Sequence, residues 1–128
     1  MEKINNKKVL VVDDDDNLRL VLTDKLNLSG FEAIGASNGK EGLEKALSSH
    51  PDVILLDILM PVMDGWEMLG KLRKDEWGKK VKVIILTAIE DAEAIAQAIE
   101  DGSLAYLVKT NQSMDDILEK VKLMIENS

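Results

Sequence analysis

At 128 residues, with 45 % apolar and 31 % charged side chains, the chain is long enough for one domain with a buried core and too short for two. Lys and Arg number 16 against 24 Asp and Glu, and the net charge of -8 argues against direct binding of nucleic acid by this domain. No cysteine is present, so disulfides and thiolate metal sites are excluded, and no apolar run is long enough for a signal peptide or a membrane span. A cytoplasmic protein without membrane contact is the expectation.

Val9-Leu10-Val11-Val12 is a short β-branched run with no polar face, as expected of a strand covered on both sides. Leu18, Val21, Leu22 and Leu26 then recur at helical spacing, and Gly30 is placed to end that helix. Phe31 to Ala36 reads as a weaker strand. Lys40 to Ser49 reads as a helix with Leu43, Ala46 and Leu47 facing inward. Val53-Ile54-Leu55-Leu56 is a second buried strand ending at Asp57, and Asp64-Gly65 opens a helix through Met68, Leu69 and Leu72. Val81 to Leu86 is a third strong strand, followed by an Ala-rich helix from about Asp91 to Glu100 that Gly102 stops. Leu104 to Val108 is the last strand. Ser113 with Asp116 three residues on resembles a capping box, and the helix after it carries Ile117, Leu118, Val121 and Ile125 on one side.

Buried strands alternating with helices imply a parallel sheet covered on both faces. The fold class expected is α/β, a flavodoxin-like (βα)5 doubly wound sheet of five strands in the order 2-1-3-4-5, the order being drawn by analogy. Ligands in such sheets bind outside the carboxyl ends of the strands, where strand order reverses. The strand ends therefore decide the chemistry. Strand one ends in Asp13-Asp14-Asp15-Asp16, strand three in Asp57, strand four in Thr87, and strand five is followed by Lys109. Strand two ends in Ala36-Ser37 and contributes nothing obvious.

In that order the acid pair Asp13 and Asp14 shares one pocket with Asp57, with Thr87 and Lys109 closing the other side. Clustered carboxylates repel, and an all-oxygen donor set favours a hard divalent ion: Mg2+, with Mn2+ as an alternative. Phosphoryl transfer needs positive charge on the equatorial oxygens and an in-line nucleophile. Mg2+ and Lys109 supply the first, Thr87 a hydrogen bond, and the Asp57 carboxylate the second. Asp15 and Asp16 read as helix-capping acids.

Taken together, Val-Leu-Val-Val-Asp-Asp at 9–14, Asp57 with Met60-Pro61 and Met63-Asp64-Gly65, Leu86-Thr87-Ala88, and Tyr106-Leu107-Val108-Lys109 resemble response regulator receiver domains of two-component signal transduction systems, the CheY-like superfamily. The resemblance covers nearly the whole chain, so a single receiver domain over 1–128 is expected, with its core at about 7–126. It implies that Asp57 is the phosphoacceptor and that Mg2+ is held by Asp13, Asp14, Asp57 and the backbone carbonyl of Leu59. Thr87 and Lys109 would bind the phosphoryl oxygens, and Tyr106 would couple to Thr87 through its rotamer. Leu59 and Ile89, two residues beyond the phosphoacceptor and the threonine, would tune dephosphorylation.

The implied role is that of a signalling domain which catalyses only its own phosphorylation and dephosphorylation. The donor would be a histidine kinase or a histidine phosphotransfer protein. The output would pass to a downstream protein, or to an output domain of the same polypeptide, through the face of the fourth helix, fifth strand and fifth helix, and phosphorylation-dependent dimers fit the same scheme. One departure is Thr110 after Lys109 where the family usually has proline, so a cis peptide there would cost roughly 2.5–4 kcal/mol.

Other functions fit less well. A haloacid-dehalogenase-type phosphatase needs a second Asp at the position of Leu59, and a flavodoxin-like electron carrier needs a Ser/Thr/Gly-rich phosphate loop where four aspartates stand. A non-phosphorylated docking module would not need the complete acid set. His50, in a loop before Pro51, reads as a surface residue, Met60 and Met63 as packing, and Trp66 and Trp77 as partly buried fillers.

Overall fold

The computed structural model describes residues 6–87, 104–108 and 113–126. In chain order the elements are β1 (Lys8–Val12), α1 (Asp16–Leu28), β2 (Glu32–Ala36), α2 (Gly39–Ser49), β3 (Val53–Leu56), α3 (Gly65–Leu72), β4 (Lys82–Thr87), β5 (Leu104–Val108) and a C-terminal helix (Met114–Glu126). The five strands form one parallel sheet in the order β2-β1-β3-β4-β5, the flavodoxin-like arrangement. The Ala-rich segment from Asp91 to Glu100, Gly102, and the Lys109–Thr110 peptide lie outside the described residues.

Alternation along the strands divides the interior into two cores. Leu10, Val12, Ile54, Leu56, Val83 and Ile85 point to one side, where Ala46 of α2 and Met68, Leu69 and Leu72 of α3 cover them. Val9, Val11, Val53, Leu55, Ile84 and Leu86 point to the other and meet Leu22 and Leu26 of α1 with Ile117, Leu118, Val121 and Ile125 of the C-terminal helix. Apolar runs without a polar face are thus required by a sheet that is dry on both sides. Each fully buried Val, Leu or Ile contributes about 1.5–3 kcal/mol relative to exposure.

Local chemistry fixes the helix ends. Asp15 caps α1 by accepting the Leu18 amide at 3.1 Å. At its other end Phe31 N–H donates to Leu26 and Gly30 N–H to Asn27, a Schellman pair that needs the positive φ of 102° at Gly30. Asn38 caps α2 and Asp64 caps α3, each accepting the amide three residues on. Ser113 and Asp116 bond reciprocally at 3.0 and 3.1 Å, the capping box expected from their spacing.

Two expected inward residues face out. Val21 is 48 % exposed and Leu47 is 38 % exposed. On α2 the inward stripe is Gly39, Gly42 and Ala46, which leaves Leu47 on the flank. Gly42 is pressed so close that a Cβ would meet the Val12 Cγ atoms at 2.9 Å and Met68 Sδ at 3.0 Å. The side-chain-free approach of α2 to β1 sets which face turns inward. On α1, Leu22 and Leu26 hold the buried stripe, and Val21 lies about 100° around the helix from Leu22.

Candidate phosphoacceptor and metal site

Parallel register is what assembles the acids. Val12 pairs with Leu56, and the Asp57 amide donates to the Val12 carbonyl at 2.9 Å, so the residues following β1 and β3 leave the sheet side by side. Asp13 and Asp57 are 1 % and 6 % exposed, and they are the buried charged residues among those described, while Asp14 faces solvent. One carboxylate oxygen from each of Asp13, Asp14 and Asp57 lies within 4.8 Å of the others. Two unit charges at such a spacing repel by roughly 3–4 kcal/mol at an effective dielectric of about 20. A small divalent cation converts that repulsion into attraction, and three hard oxygen donors suit Mg2+.

Hydrogen bonds hold the two buried acids in place. Asp13 Oδ1 accepts the Asp15 amide at 2.9 Å, and Asp57 Oδ1 accepts the Ile58 amide at 2.8 Å. The end of β2, unassigned from sequence, has a part as well: the Ala36 carbonyl accepts the Asp13 amide at 3.1 Å. Behind Asp57, Gly65 donates to the Ile58 carbonyl at 2.8 Å and sits against the Asp57 carbonyl, where a side chain has no room.

The loop after Asp57 is held just as closely. Met63 N–H donates to the Pro61 carbonyl at 2.8 Å around Val62, whose φ of 70° is costly for a β-branched residue. The Met63 carbonyl in turn accepts from Gly39 at 2.9 Å. Met60 and Met63 pack on the core as expected, whereas Leu59 is 64 % exposed.

Thr87 is the last residue of β4 and pairs with Val108 of β5, one residue beyond the pairing of Leu86 with Leu107. Tyr106 lies in the middle of β5 opposite Ile85 and is 39 % exposed, which excludes a purely core role for it. Lys109 and Ile89 lie outside the described residues. His50 is exposed, as expected, and its ring stacks on Trp77 at 4.3 Å at the opposite end of the sheet.

Sequence reasoning passed over Arg19. Its guanidinium donates to the Asp13 carbonyl at 2.7 Å and to Asp16 Oδ1 at 2.6 Å, directly under the acid turn. The only signal was a basic residue three positions after Asp16 on the helix that the acids open.

Residues 9–122 match the family model of the response regulator receiver domain. The chain belongs to that family. It is a receiver domain of the two-component response regulators, a signalling domain rather than an enzyme in the usual sense. This receiver is 33 % identical over 117 residues to sporulation initiation phosphotransferase F of Bacillus subtilis, covering 91 % of this chain and 92 % of that protein. It is 39 % identical over 102 residues to the regulatory protein AtoC of Escherichia coli, where the match covers 80 % of this chain but only 22 % of AtoC. The chain thus spans well under half of that longer relative. A response regulator from Thermotoga maritima, solved in complex with Mg2+ and BeF, superposes with a TM-score of 0.75 at 36 % identity, covering 92 % of this chain and 98 % of that one. No described helix is long and apolar enough to cross a membrane.

Proposed function

We propose that this receiver accepts a phosphoryl group on Asp57 in a Mg2+-dependent reaction and signals through a change of shape on the face that includes β5. The observation that carries this reading is the convergence of Asp13, Asp14 and Asp57 within 4.8 Å at the carboxyl edge of the sheet. Asp13, Asp14 and Asp57, with the Leu59 carbonyl, would hold Mg2+, or Mn2+ in its place. When bound, the cation supplies positive charge against the phosphoryl oxygens and neutralises the clustered acids.

The Asp57 carboxylate is the nucleophile. Its oxygen forms the new bond to phosphorus as the bond to the donor breaks, and the donor's leaving group retains that electron pair and takes a proton. The Asp57 amide is bonded to the Val12 carbonyl and the next carbonyl, that of Ile58, accepts the Gly65 amide, so the nucleophile needs little reorganisation. Thr87 and Lys109 would bind the phosphoryl oxygens, and Tyr106, exposed on β5, would respond to Thr87.

A histidine kinase or a histidine phosphotransfer protein is the donor in this reading. The recipient is a protein, or an output domain if the natural polypeptide is longer, in the cytoplasm. The chain forms a single domain over 1–128, and phosphorylation favours dimers where the β5 face is self-complementary.

Incubation with acetyl phosphate and Mg2+, read by intact mass, tests the reaction. Wild type is expected to gain one phosphoryl group, and Asp57→Asn or removal of Mg2+ to abolish the gain. Uptake by Asp57→Asn equal to wild type would overturn the assignment.

A further inference from the structure

Arg19 is placed to act on the cation site without touching it. Its guanidinium joins two points of one turn: Nη1 donates to the Asp13 carbonyl at 2.7 Å and Nη2 to Asp16 Oδ1 at 2.6 Å. The same turn is braced from within, since Asp13 Oδ1 accepts the Asp15 amide, Asp15 caps Leu18, and the Arg19 amide itself donates to the Asp15 carbonyl at 2.9 Å. Asp14 lies between the two anchored residues.

The side chain has been given room to do this. The side chain is 21 % exposed, and its stem passes over Gly35 of β2, where a Cβ would meet Arg19 Cδ at 3.0 Å and Cγ at 3.2 Å. Gly35 has no positive φ that would call for glycine, so the missing side chain serves the passage of Arg19. A lysine could reach one of the two acceptors; only the planar fork of arginine spans both.

We propose that Arg19 is a positioning residue for the divalent cation: it fixes the turn from Asp13 to Asp16 so that the Asp13 and Asp14 carboxylates are presented together toward Asp57. The inference rests on the phosphoacceptor reading above. Outer support of this kind commonly changes metal affinity by 10- to 100-fold, and about tenfold is expected here because the Asp13 and Asp57 carboxylates also keep their own bonds to backbone amides.

Removing the charge of Arg19 would by itself favour a cation, so the informative variants keep it. Arg19→Lys retains the charge and loses the fork. Gly35→Ala leaves Arg19 intact and pushes on its stem, while Ala suits a strand better than Gly.

Mg2+ titration by calorimetry on the full chain, with metal-free thermal unfolding and the acetyl phosphate rate measured alongside, separates the alternatives. Both variants are expected to bind Mg2+ about tenfold more weakly, to unfold near the wild-type temperature without metal, and to regain the wild-type phosphorylation rate at saturating Mg2+. Unchanged Mg2+ affinity in both variants, with wild type binding normally, overturns the role of Arg19 alone. A phosphorylation rate that stays low at saturating Mg2+ also overturns it, because the defect would then not lie in the cation site. Absence of Mg2+ binding by wild type overturns the phosphoacceptor reading and this inference with it.

Discussion

Asp57 and Val12 are joined by a 2.9 Å backbone hydrogen bond that carries the β1–β3 ladder one residue beyond the strands themselves. That bond is why an acid following β1 and an acid following β3 end in the same pocket. It also keeps Asp57, the proposed nucleophile, fixed to the sheet. Replacing the pocket acids should therefore alter charge more than fold.

Asp13 and Asp14 should behave differently on that account. Each substitution relieves like-charge repulsion, which from sequence alone predicts higher metal-free stability for both. In the structure Asp14 is exposed, while Asp13 is 1 % exposed and accepts the Asp15 amide at 2.9 Å. Asp14→Ala is expected to raise metal-free stability by about 0.2–1 kcal/mol, the range of an exposed charge interaction. Asp13→Ala forfeits a hydrogen bond worth about 1 kcal/mol and should gain nothing. Chemical denaturation in chelator checks the order. Both variants should lose Mg2+ affinity, and equal stabilisation by the two would show that the Asp13 bond is not supporting the turn.

Gly65→Ala probes the floor of the pocket. An added Cβ would press on the Asp57 carbonyl and approach Ile58 Cα to 2.9 Å, both of them backbone atoms that cannot rotate away. Overpacking of this kind costs about 1–3 kcal/mol, and here it displaces the backbone of Asp57, the proposed nucleophile, and of Ile58. Stability and the phosphorylation rate should fall together. Gly70→Ala, where an added Cβ meets nothing within 4 Å, is the control and should leave the rate unchanged while slightly stabilising α3.

How much of this was legible in the sequence follows from what each feature depends on. Strand identity, sheet faces and the capping box at Ser113 depend on apolar runs and short spacings, which a sequence displays directly. The acid pocket was legible because strand ends are where such sheets bind ligands. The inward face of α2 was not, because Gly39 and Gly42 make the close contacts and a count of large apolar residues points to Leu47 instead. The Arg19 brace and the turn at Val62 were equally hidden. Both depend on which backbone carbonyl lies within reach, a property of the folded loops alone.

Glu41 gives a pH dependence with a definite sign. Its carboxylate accepts the Ser37 amide at 2.6 Å, and this bond holds its pKa below the usual glutamate range, with smaller help from Lys45. A lowered folded pKa means the contribution is complete above the unfolded value of about 4.3 and disappears as pH falls through the folded one. The side chain is 41 % exposed, so solvent screening keeps the effect small. Wild type should be slightly more stable than Glu41→Gln at neutral pH, and the difference should close in the acid range. Thermal unfolding as a function of pH reads it, and a gap that widens on acidification would contradict the assignment.

The lifetime of the phosphoryl group is the remaining expectation, and it turns on Leu59. Hydrolysis needs a water in line with the bond between Asp57 and phosphorus, and a polar side chain at the mouth can orient that water. Leu59 stands two residues beyond Asp57, has an apolar side chain that cannot hydrogen-bond water, and is 64 % exposed, so it is not part of the core. Its replacement should therefore cost little stability. Ile89, at the corresponding distance beyond Thr87, is equally apolar, although it lies outside the described residues. Self-dephosphorylation is expected to be slow, and Leu59→Asn with Ile89→Glu to speed it roughly tenfold, below the 10²–10⁴ range of a fully positioned acid or base. Slow decay suits a persistent signal or a relay intermediate, because the group must outlast the encounter with the next protein. Phosphate release from purified phosphoprotein in Mg2+ measures the rate directly. A double variant that decays no faster than wild type would place the control of hydrolysis elsewhere, with the neighbouring Glu90 the first side chain to substitute.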